Sequence, residues 1–165
     1  MTNPISLRQG TKEDCQAVLV LMQAAFAEYK DWLIPESGVF YETVETLIHR
    51  LSQDTLLLAV EDEDQTERLV GSIFCAVQPD GNMYLSRLSV LPAYRKQGLG
   101  RMLIAEVETI AQQNKCPSVT LGVRIALEAN VQYFQSLGYC EISRHAHDGF
   151  HEPTYLSMAK RVHAE

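Results

Sequence analysis

The sequence predicts an α+β fold in which a mixed, largely antiparallel central sheet is flanked by helices. Runs with strand-like alternation and runs with helical spacing succeed each other along the 165 residues. The segments EDEDQTER and QPDGN carry turn signals that join successive strands as antiparallel hairpins. One later helix separates two strands, and a crossover of this kind lays the second strand parallel to the first.

The first half of the chain predicts a strand, two helices and a hairpin. Thr11 is placed to cap the first helix, with Asp14 in its first turn. The segment DWLIPESG reads as a loop between the helices, and the charged EDEDQTER reads as a solvated loop between the strands. The expected elements are a strand over 5–8, helices over 11–29 and 41–52, and strands over 55–60 and 69–77.

The second half predicts four strands and two helices. Pro92 stops a strand because it has no N–H to donate, and Gly98 opens the longest helix. The loop HAHDGFHEP separates the last two strands. The expected elements are a strand over 83–91, a helix over 98–114, a strand over 118–123, a helix over 128–137, and strands over 139–144 and 154–159. The predicted buried stripe of the longest helix comprises Leu99, Met102, Leu103, Val107 and Ile110.

Composition favours one cytoplasmic domain over residues 1–165. The 21 acidic against 14 basic residues disfavour nucleic acid and mildly favour a cationic partner. Neither a signal peptide nor an apolar run of the roughly 18 residues that a membrane helix needs is apparent. The four cysteines lie far apart in apolar segments, which predicts reduced structural thiols. A homodimer is among the oligomeric states that the sequence leaves open.

The segment YRKQGLGRML joins a predicted strand to a predicted helix through two glycines. Without Cβ atoms at Gly98 and Gly100, a ligand can approach the backbone, and the first N–H groups of the helix lack intrahelical acceptors. An anion gains about 0.3–2 kcal/mol at such a terminus, and nearby basic residues add to the field. A diphosphate suits this turn, although an ordinary glycine turn with solvated cations remains the alternative. Neither the dinucleotide fingerprint nor the phosphate loop fits the spacing.

The wider segment LSRLSVLPAYRKQGLGRMLI resembles the acyl-CoA-binding motif of the GNAT superfamily of N-acyltransferases. In that family a strand ending in apolar-x-Val-x-Pro leads to Arg/Gln-x-x-Gly-x-Gly/Ala, a pattern that Arg95, Gly98 and Gly100 fill. The order of elements is also similar, and Leu137-Gly138-Tyr139 matches the Leu-Gly-aromatic motif of the family. The resemblance implies a GNAT-like fold, with one parallel strand pair splayed to hold the acyl-CoA, and acetyl-CoA as co-substrate with no metal.

The resemblance also implies a coenzyme A site. Residues 97–101 would present backbone N–H groups to the diphosphate, and residues 88–90 would pair with pantetheine as a strand does. The N–H of Val90 would stabilise the oxyanion that develops on the thioester. Asn130 would either contact coenzyme A or order the start of its helix, although the commonest family spacing points to Leu127. The expected coenzyme A residues are Leu88, Ser89, Val90, Arg95, Lys96, Gln97, Gly98, Leu99, Gly100, Arg101 and Asn130.

The catalytic residues are harder to place. Family members often carry a tyrosine three residues before the Leu-Gly-aromatic motif as donor to the leaving thiolate, but here that position is Phe134. Tyr133 is the substitute, and protonation by water is the alternative. Holding a lysine-type amine neutral at pH 7 costs about 4.6 kcal/mol, so a base is expected. His147 is the candidate, drawn from a set that could equally be exposed loop residues: His145, His147, Asp148, His151 and Glu152.

Acceptor specificity in relatives is usually built between the first two helices, which nominates Glu28, Tyr29 and Trp32 as lining residues. Trp32 could equally pin the loop to the core. The leading hypothesis is an acetyl-CoA-dependent N-acetyltransferase acting directly on a small-molecule primary amine. The alternatives are acetylation of a protein or peptide amine, and a GNAT-fold module that senses acyl-CoA with little turnover. A metalloenzyme built on the histidines of the C-terminal loop is disfavoured because they form no defined ligand cage.

Overall fold

A computed structural model describes residues 3–163. It contains a mixed sheet with strands hydrogen-bonded in the order β1-β2-β3-β4-β5-β7-β6, together with α-helices, so the predicted α+β class is confirmed. The strands are β1 Ile5–Gln9, β2 Thr55–Glu63, β3 Thr66–Val77, β4 Met83–Val90, β5 Ser118–Arg124, β6 Cys140–His145 and β7 Tyr155–Arg161. The helices are α1 Cys15–Phe26, α2 Val44–Arg50, α3 Leu99–Gln113 and α4 Glu128–Ser136.

The chain divides into two compact units. The first comprises the segment up to Ala76 together with Arg87–Glu106, and the second comprises Val77–Ser86 together with the segment from Val107 onward. Strand β4 therefore contributes its second half to the first unit and its first half to the second unit. The expected single domain over residues 1–165 stays a prediction.

In the first unit, β1, β2 and β3 pair antiparallel and pack on α1 and α2. Both helices are shorter than predicted, since α1 is flanked by single 3₁₀ turns and α2 starts only at Val44. Thr43 caps α2 by accepting a hydrogen bond from the Thr46 N–H at 3.1 Å. Buried side chains of this unit include Cys15, Val18, Met22, Leu47, Leu56, Leu58, Val60 and Phe74.

The β2–β3 hairpin corrects one prediction. EDEDQTER is not a loop, because β2 runs through Glu63 and β3 begins at Thr66. Only Asp64 and Gln65 form the turn, both with positive φ, at 46° and 70°. Turns of this handedness match the twist of paired strands, and so the charged residues on either side continue the ladder.

In the second unit, β7 lies between β5 and β6 and pairs antiparallel with both. The parallel register between β4 and β5, predicted from the crossover helix, is confirmed and covers Met83 with Val119 and Tyr84 with Thr120. The Tyr139 ring is buried, and its hydroxyl donates to Glu108 of α3, which also accepts from Lys160 at 2.7 Å. This network fixes the Leu-Gly-aromatic segment in the unit.

Two details of burial differ from expectation. Met102 is exposed, and Ile104 is buried in α3 in its place, because the buried stripe follows Leu99, Leu103 and Val107. Cys15, Cys75 and Cys116 are buried free thiols, whereas Cys140 is a free thiol exposed on β6.

Over the part of the chain that the structure describes, no helix is both long and apolar enough to cross a bilayer. Among the same residues, no three His, Cys, Asp or Glu side chains are grouped as a metal ion would need.

Candidate active site

The glycine-containing turn between β4 and α3 exposes backbone to solvent. Lys96 and Gly98 have φ of 61° and 86°, and a Cβ added at Gly98 would meet no atom within 4 Å. The Met102 N–H donates to the Gly98 carbonyl, which lies just before α3, at 3.0 Å. The N–H groups of the helical residues before Met102 belong to the first turn, which has no intrahelical acceptors and carries positive partial charge. The turn therefore suits an anion.

A side-chain network holds the approach to this turn. A 3₁₀ turn over Pro92–Tyr94 follows β4, and the Tyr94 hydroxyl donates to the largely buried Glu61 carboxylate. This hydrogen bond raises the pKa of Tyr94 above its usual value. The Arg68 guanidinium lies 5.6 Å from the centre of the Tyr94 ring, and Gln97 donates its side-chain amide to the Ala93 carbonyl at 3.1 Å.

Arg95 brings the predicted coenzyme A residues and acceptor residues into contact. Its Nη1 donates to the Glu28 carboxylate at 2.5 Å, and its Nη2 donates to the Ala25 carbonyl at the end of α1, at 2.7 Å. Lys96 is exposed, as is Arg101. Arg95 thus ties the turn to the loop after α1, and a phosphate at the turn would compete with Glu28 for the Arg95 guanidinium.

The segment Leu88–Val90 lies where β4 loses its regularity. Arg87 has a φ of 56°, in the left-handed region, so the strand is distorted just before this segment. Ser89 is buried, and its hydroxyl donates to the Arg87 carbonyl at 3.1 Å. The pairing register of β4 with β5 covers only Met83 and Tyr84. The splaying of this strand pair stays a prediction.

The loop after α1 presents the predicted acceptor residues. Trp32 is 51% exposed, so its ring is not a core residue, and its role stays a prediction. Its indole Nε1 donates to the Glu28 carbonyl at 2.7 Å. The Tyr29 ring lies edge-on between Phe26 and Trp32, with centroid distances of 5.8 and 6.2 Å. Glu28, Tyr29 and Trp32 therefore form one contiguous group.

An open depression of about 550 Å³ lies in the first unit, where α2 approaches β4. Its lining includes Glu42, Glu45, Thr46, His49, Arg50 and Arg87. The Arg87 Nη2 donates to the Glu42 carboxylate at 3.2 Å, while the buried Arg87 Nε has no hydrogen-bond partner. The unpaired Nε costs about 1–3 kcal/mol, and the left-handed backbone costs roughly 1–3 kcal/mol. Sequence reasoning missed Arg87, although a cation inside the apolar run LSRLSV was a visible signal.

Helix α4 of the second unit carries Asn130, Tyr133 and Phe134. Phe134 is only 8% exposed, and its ring packs edge-on against the Tyr139 ring at 5.9 Å. Tyr133 is 37% exposed and contacts Phe134 with its ring edge. Phe134 is therefore a core residue, whereas Tyr133 is partly exposed, and its role as proton donor stays a prediction. Asn130 is half-buried in the first turn of α4, where its backbone N–H donates to the Leu127 carbonyl at 3.0 Å.

The loop between β6 and β7 surrounds Tyr155 with two histidines. The His145 ring stacks on Tyr155 at 5.0 Å, and the His147 ring meets Tyr155 edge-on at 4.9 Å. The His147 backbone N–H donates to the Thr154 hydroxyl at 3.0 Å, and Nδ1 of the same ring is hydrogen-bonded to that hydroxyl. Burial, with the positive charge of Arg124 as a second cause, lowers the pKa of His147 below its usual value. A neutral imidazole at pH 7 follows.

The predicted residues thus form separate groups. The first unit holds the turn, the segment Leu88–Val90 and the Glu28 group, with Arg95 in contact with Glu28. The second unit holds Asn130 and Tyr133 on α4, and His147 in the loop after β6. Of the other candidate bases, His145 stacks on Tyr155 and is hydrogen-bonded to Ser143. Asp148, His151 and Glu152 are exposed.

Comparison with known proteins identifies a family. A profile described as the acetyltransferase (GNAT) family matches residues 19–139. An acetyltransferase of the GNAT family from Staphylococcus aureus Mu50 is similar in structure, with a TM-score of 0.76 and 16% identity over 97% of this chain and 100% of that chain.

Two further solved structures are similar along almost the whole chain. The ribosomal-protein-S18-alanine N-acetyltransferase from Escherichia coli has a TM-score of 0.75 and 19% identity, over 98% of this chain and 96% of that chain. The PaiA N-acetyltransferase from Thermoplasma acidophilum, in complex with coenzyme A, has a TM-score of 0.74 and 20% identity, over 96% of this chain and 99% of that chain. At these identities the likeness shows the fold, which matches the predicted GNAT-like architecture.

Proposed function

Because the chain belongs to the acetyltransferase (GNAT) family, we propose that it transfers an acetyl group from acetyl-CoA to a primary amine by direct attack. The single observation that carries the proposal is the turn at Gly98, whose open backbone precedes the first turn of α3. A structural relative binds coenzyme A, and the same ligand class suits a turn that favours a diphosphate.

In the proposed reaction, the amine nitrogen attacks the thioester carbonyl carbon in a ternary complex, with no covalent enzyme intermediate. The N–H of Val90 stabilises the oxyanion that develops on the carbonyl oxygen. The C–S bond then breaks, His147 takes the proton that the amine loses, and Tyr133 donates a proton to the leaving thiolate. The lowered pKa of His147 supports its role, because the ring is ready to accept a proton at pH 7.

The acceptor belongs to the proposal as well. We favour a small-molecule amine over a protein amine, with Glu28, Tyr29 and Trp32 contacting it. The formal net charge of −7 supports a cationic or zwitterionic acceptor over a polyanion. A cytoplasmic location, which three buried free thiols favour, stays a prediction.

The burial of Phe134 favours a second candidate. With a core phenylalanine at the usual tyrosine position, the domain would bind acyl-CoA as a sensor and turn it over slowly. Thiol release from acetyl-CoA, measured across a panel of primary amines and checked by mass spectrometry of the products, separates the two candidates. Acetylated product with matching thiol release supports the transferase. Tight acetyl-CoA binding without product across the panel supports the sensor.

A further inference from the structure

The depression between α2 and β4 has a composition that suits a particular class of acceptor. Negative charge comes from the exposed Glu45 and from Glu42. Positive charge comes from the guanidiniums of Arg50 and Arg87, both of which pair with the Glu42 carboxylate. Because both signs of charge line one depression, it complements a zwitterion better than it complements a polyamine or a simple anion.

Among the residues that line the depression, Arg87 has a conformation and a pairing that do not favour the stability of the fold. The Arg87 guanidinium is paired with Glu42, and 29% of the side chain is exposed. Its buried Nε has no hydrogen-bond partner. The backbone adopts a conformation that non-glycine residues rarely take. Strained, incompletely paired residues of this kind are found preferentially at functional sites, where binding a ligand is the reason for their position.

The segment around Gly38 leaves room for this guanidinium. A Cβ on Gly38 would lie 2.8 Å from the Arg87 Nη2, so the glycine allows the arginine to occupy its observed place. Arg87 also directly precedes Leu88, the first residue of the segment to which we assign the pantetheine arm. Its guanidinium therefore belongs to the same strand as the proposed thioester site.

We propose that the acceptor amine carries a carboxylate, as an amino acid does, and that this carboxylate binds Arg87 in the α2–β4 depression. The inference rests on the proposed function, since it names the acceptor class of the same reaction. Guanidinium to carboxylate contacts are charge-assisted and strong, so loss of Arg87 should remove the preference for the carboxylate.

The test compares matched amines that differ only in the carboxylate. Calorimetric titrations, with and without saturating coenzyme A, use L-phenylalanine against 2-phenylethylamine, L-methionine against 3-(methylthio)propylamine, and L-lysine against cadaverine. The amino acid of at least one pair is expected to bind at least tenfold more tightly than its decarboxylated partner. Arg87→Gln is expected to abolish this preference. Gly38→Ala, which displaces the guanidinium without removing its charge, is expected to reduce it.

Arg144→Gln serves as the matched control, because Arg144 also pairs with a glutamate but lies exposed on β6. The control is expected to keep the preference. Equal affinities within every pair, tighter binding of the decarboxylated amines, no binding of any amino acid, or a preference that survives Arg87→Gln would each overturn the inference. Melting curves show whether Arg87→Gln folds. If it does not, the inference is decided by whether Gly38→Ala reduces the preference for the carboxylate. Failure of the proposed function is visible separately, as absence of acetyl-CoA binding and of thiol release.

Discussion

At the scale of single residues, the candidate site depends on backbone conformations that few side chains adopt. Arg87, Lys96 and Gly98 all have positive φ, and they lie within twelve residues of one another at the end of β4 and before α3. Only Gly98 can adopt such a conformation without steric cost. We infer that this part of the chain is shaped for ligand contact, because regular strand and helix geometry would be more stable.

Gly98→Val tests the role of the glycine in the turn. No atom lies within 4 Å of the added Cβ, so the variant is expected to fold, but the side chain and the strained φ disturb the approach of a diphosphate. We expect the Kd for acetyl-CoA to rise at least tenfold, measured by calorimetry. Gly81→Val is the matched control, since Gly81 has a φ of 87° and equally open surroundings in another turn. An equal effect of both substitutions would show that strain alone is responsible.

His147→Gln tests the proposed base. The lowered pKa of His147 keeps the imidazole neutral further into the acid range than a free imidazole. The acidic limb of kcat should therefore begin below pH 6.5, where His147 gains its proton and can no longer accept one. We expect His147→Gln to lower kcat on the order of 100-fold and to remove this limb. His163→Gln is the control, and an unchanged pH profile in His147→Gln would refute the assignment.

Residue-level prediction from the sequence worked where a motif constrains the backbone. The turn at Gly98 was predictable because only particular residues allow positive φ before a helix. Trp32 was ambiguous, because a tryptophan alone does not indicate whether it will be buried. Arg87 was missed because its significance comes from Glu42 and Gly38, residues that only the tertiary structure brings to it.

At the scale of elements, Arg95 joins the turn before α3 to the end of α1. It bonds to Glu28 and to the Ala25 carbonyl, and the same loop carries Trp32. A diphosphate at the turn would compete with Glu28 for this guanidinium. Binding of acetyl-CoA is therefore expected to release Glu28 and to alter the loop that we assign to the acceptor.

Glu28→Gln tests this competition. The pair is largely exposed, and exposed ion pairs contribute about 0.2–1 kcal/mol. We expect the substitution to lower the Kd for acetyl-CoA by no more than about fivefold, which is the factor that 1 kcal/mol represents. Glu67→Gln removes the same charge from another exposed pair with an arginine and is expected to leave the Kd unchanged. A raised Kd in Glu28→Gln would mean that the pair instead prepares Arg95 for the ligand.

The order and type of the elements were predictable from the sequence, and their ends were less so. Apolar periodicity and proline and glycine positions located every helix and strand of the described chain. The length of the β2–β3 turn was overestimated, because a run of charged residues is typical of a loop even where it continues the strand pairing. The length of helix α2 was overestimated, because Gly38–Tyr41 forms a separate 3₁₀ turn before Thr43 caps the helix.

At the scale of the whole molecule, acid stability should depend on one partly buried ion pair of the charge network. Arg8 on β1 bonds to Asp14 at 2.9 Å and to Glu67 on β3, and the contact with Arg8 lowers the pKa of Asp14 to about 2. The folded state therefore favours the ionised carboxylate. This contribution is complete above the ordinary pKa of 3.8 and is lost as the pH falls through the folded value.

Asp14→Asn is expected to reduce the free energy of unfolding at pH 7 by about 1–2 kcal/mol, after allowing for the half-exposed guanidinium. The difference from the natural chain should shrink below pH 4 and vanish only below about pH 2, under both pKa values. Urea denaturation at several pH values measures it. Asp148→Asn, on an exposed loop, is the control, and a loss of stability that does not vary with pH would contradict the pairing.

The whole fold was the most predictable feature, because motif, element order and strand pairing agree on one architecture. The acceptor was the least predictable, since a depression assembled from α2 and β4 leaves no continuous pattern in the sequence. Binding of the acyl donor therefore decides whether the account of the site holds.

The most direct measurement is a calorimetric titration of the full chain with acetyl-CoA, S-acetyl-4′-phosphopantetheine and S-acetylpantetheine. The last two differ only in the phosphate that the turn at Gly98 is proposed to bind. We predict saturable binding of acetyl-CoA and at least tenfold tighter binding of the phosphorylated fragment than of S-acetylpantetheine. No heat with acetyl-CoA, or equal affinity for the two fragments, would contradict the claim that this turn binds the diphosphate.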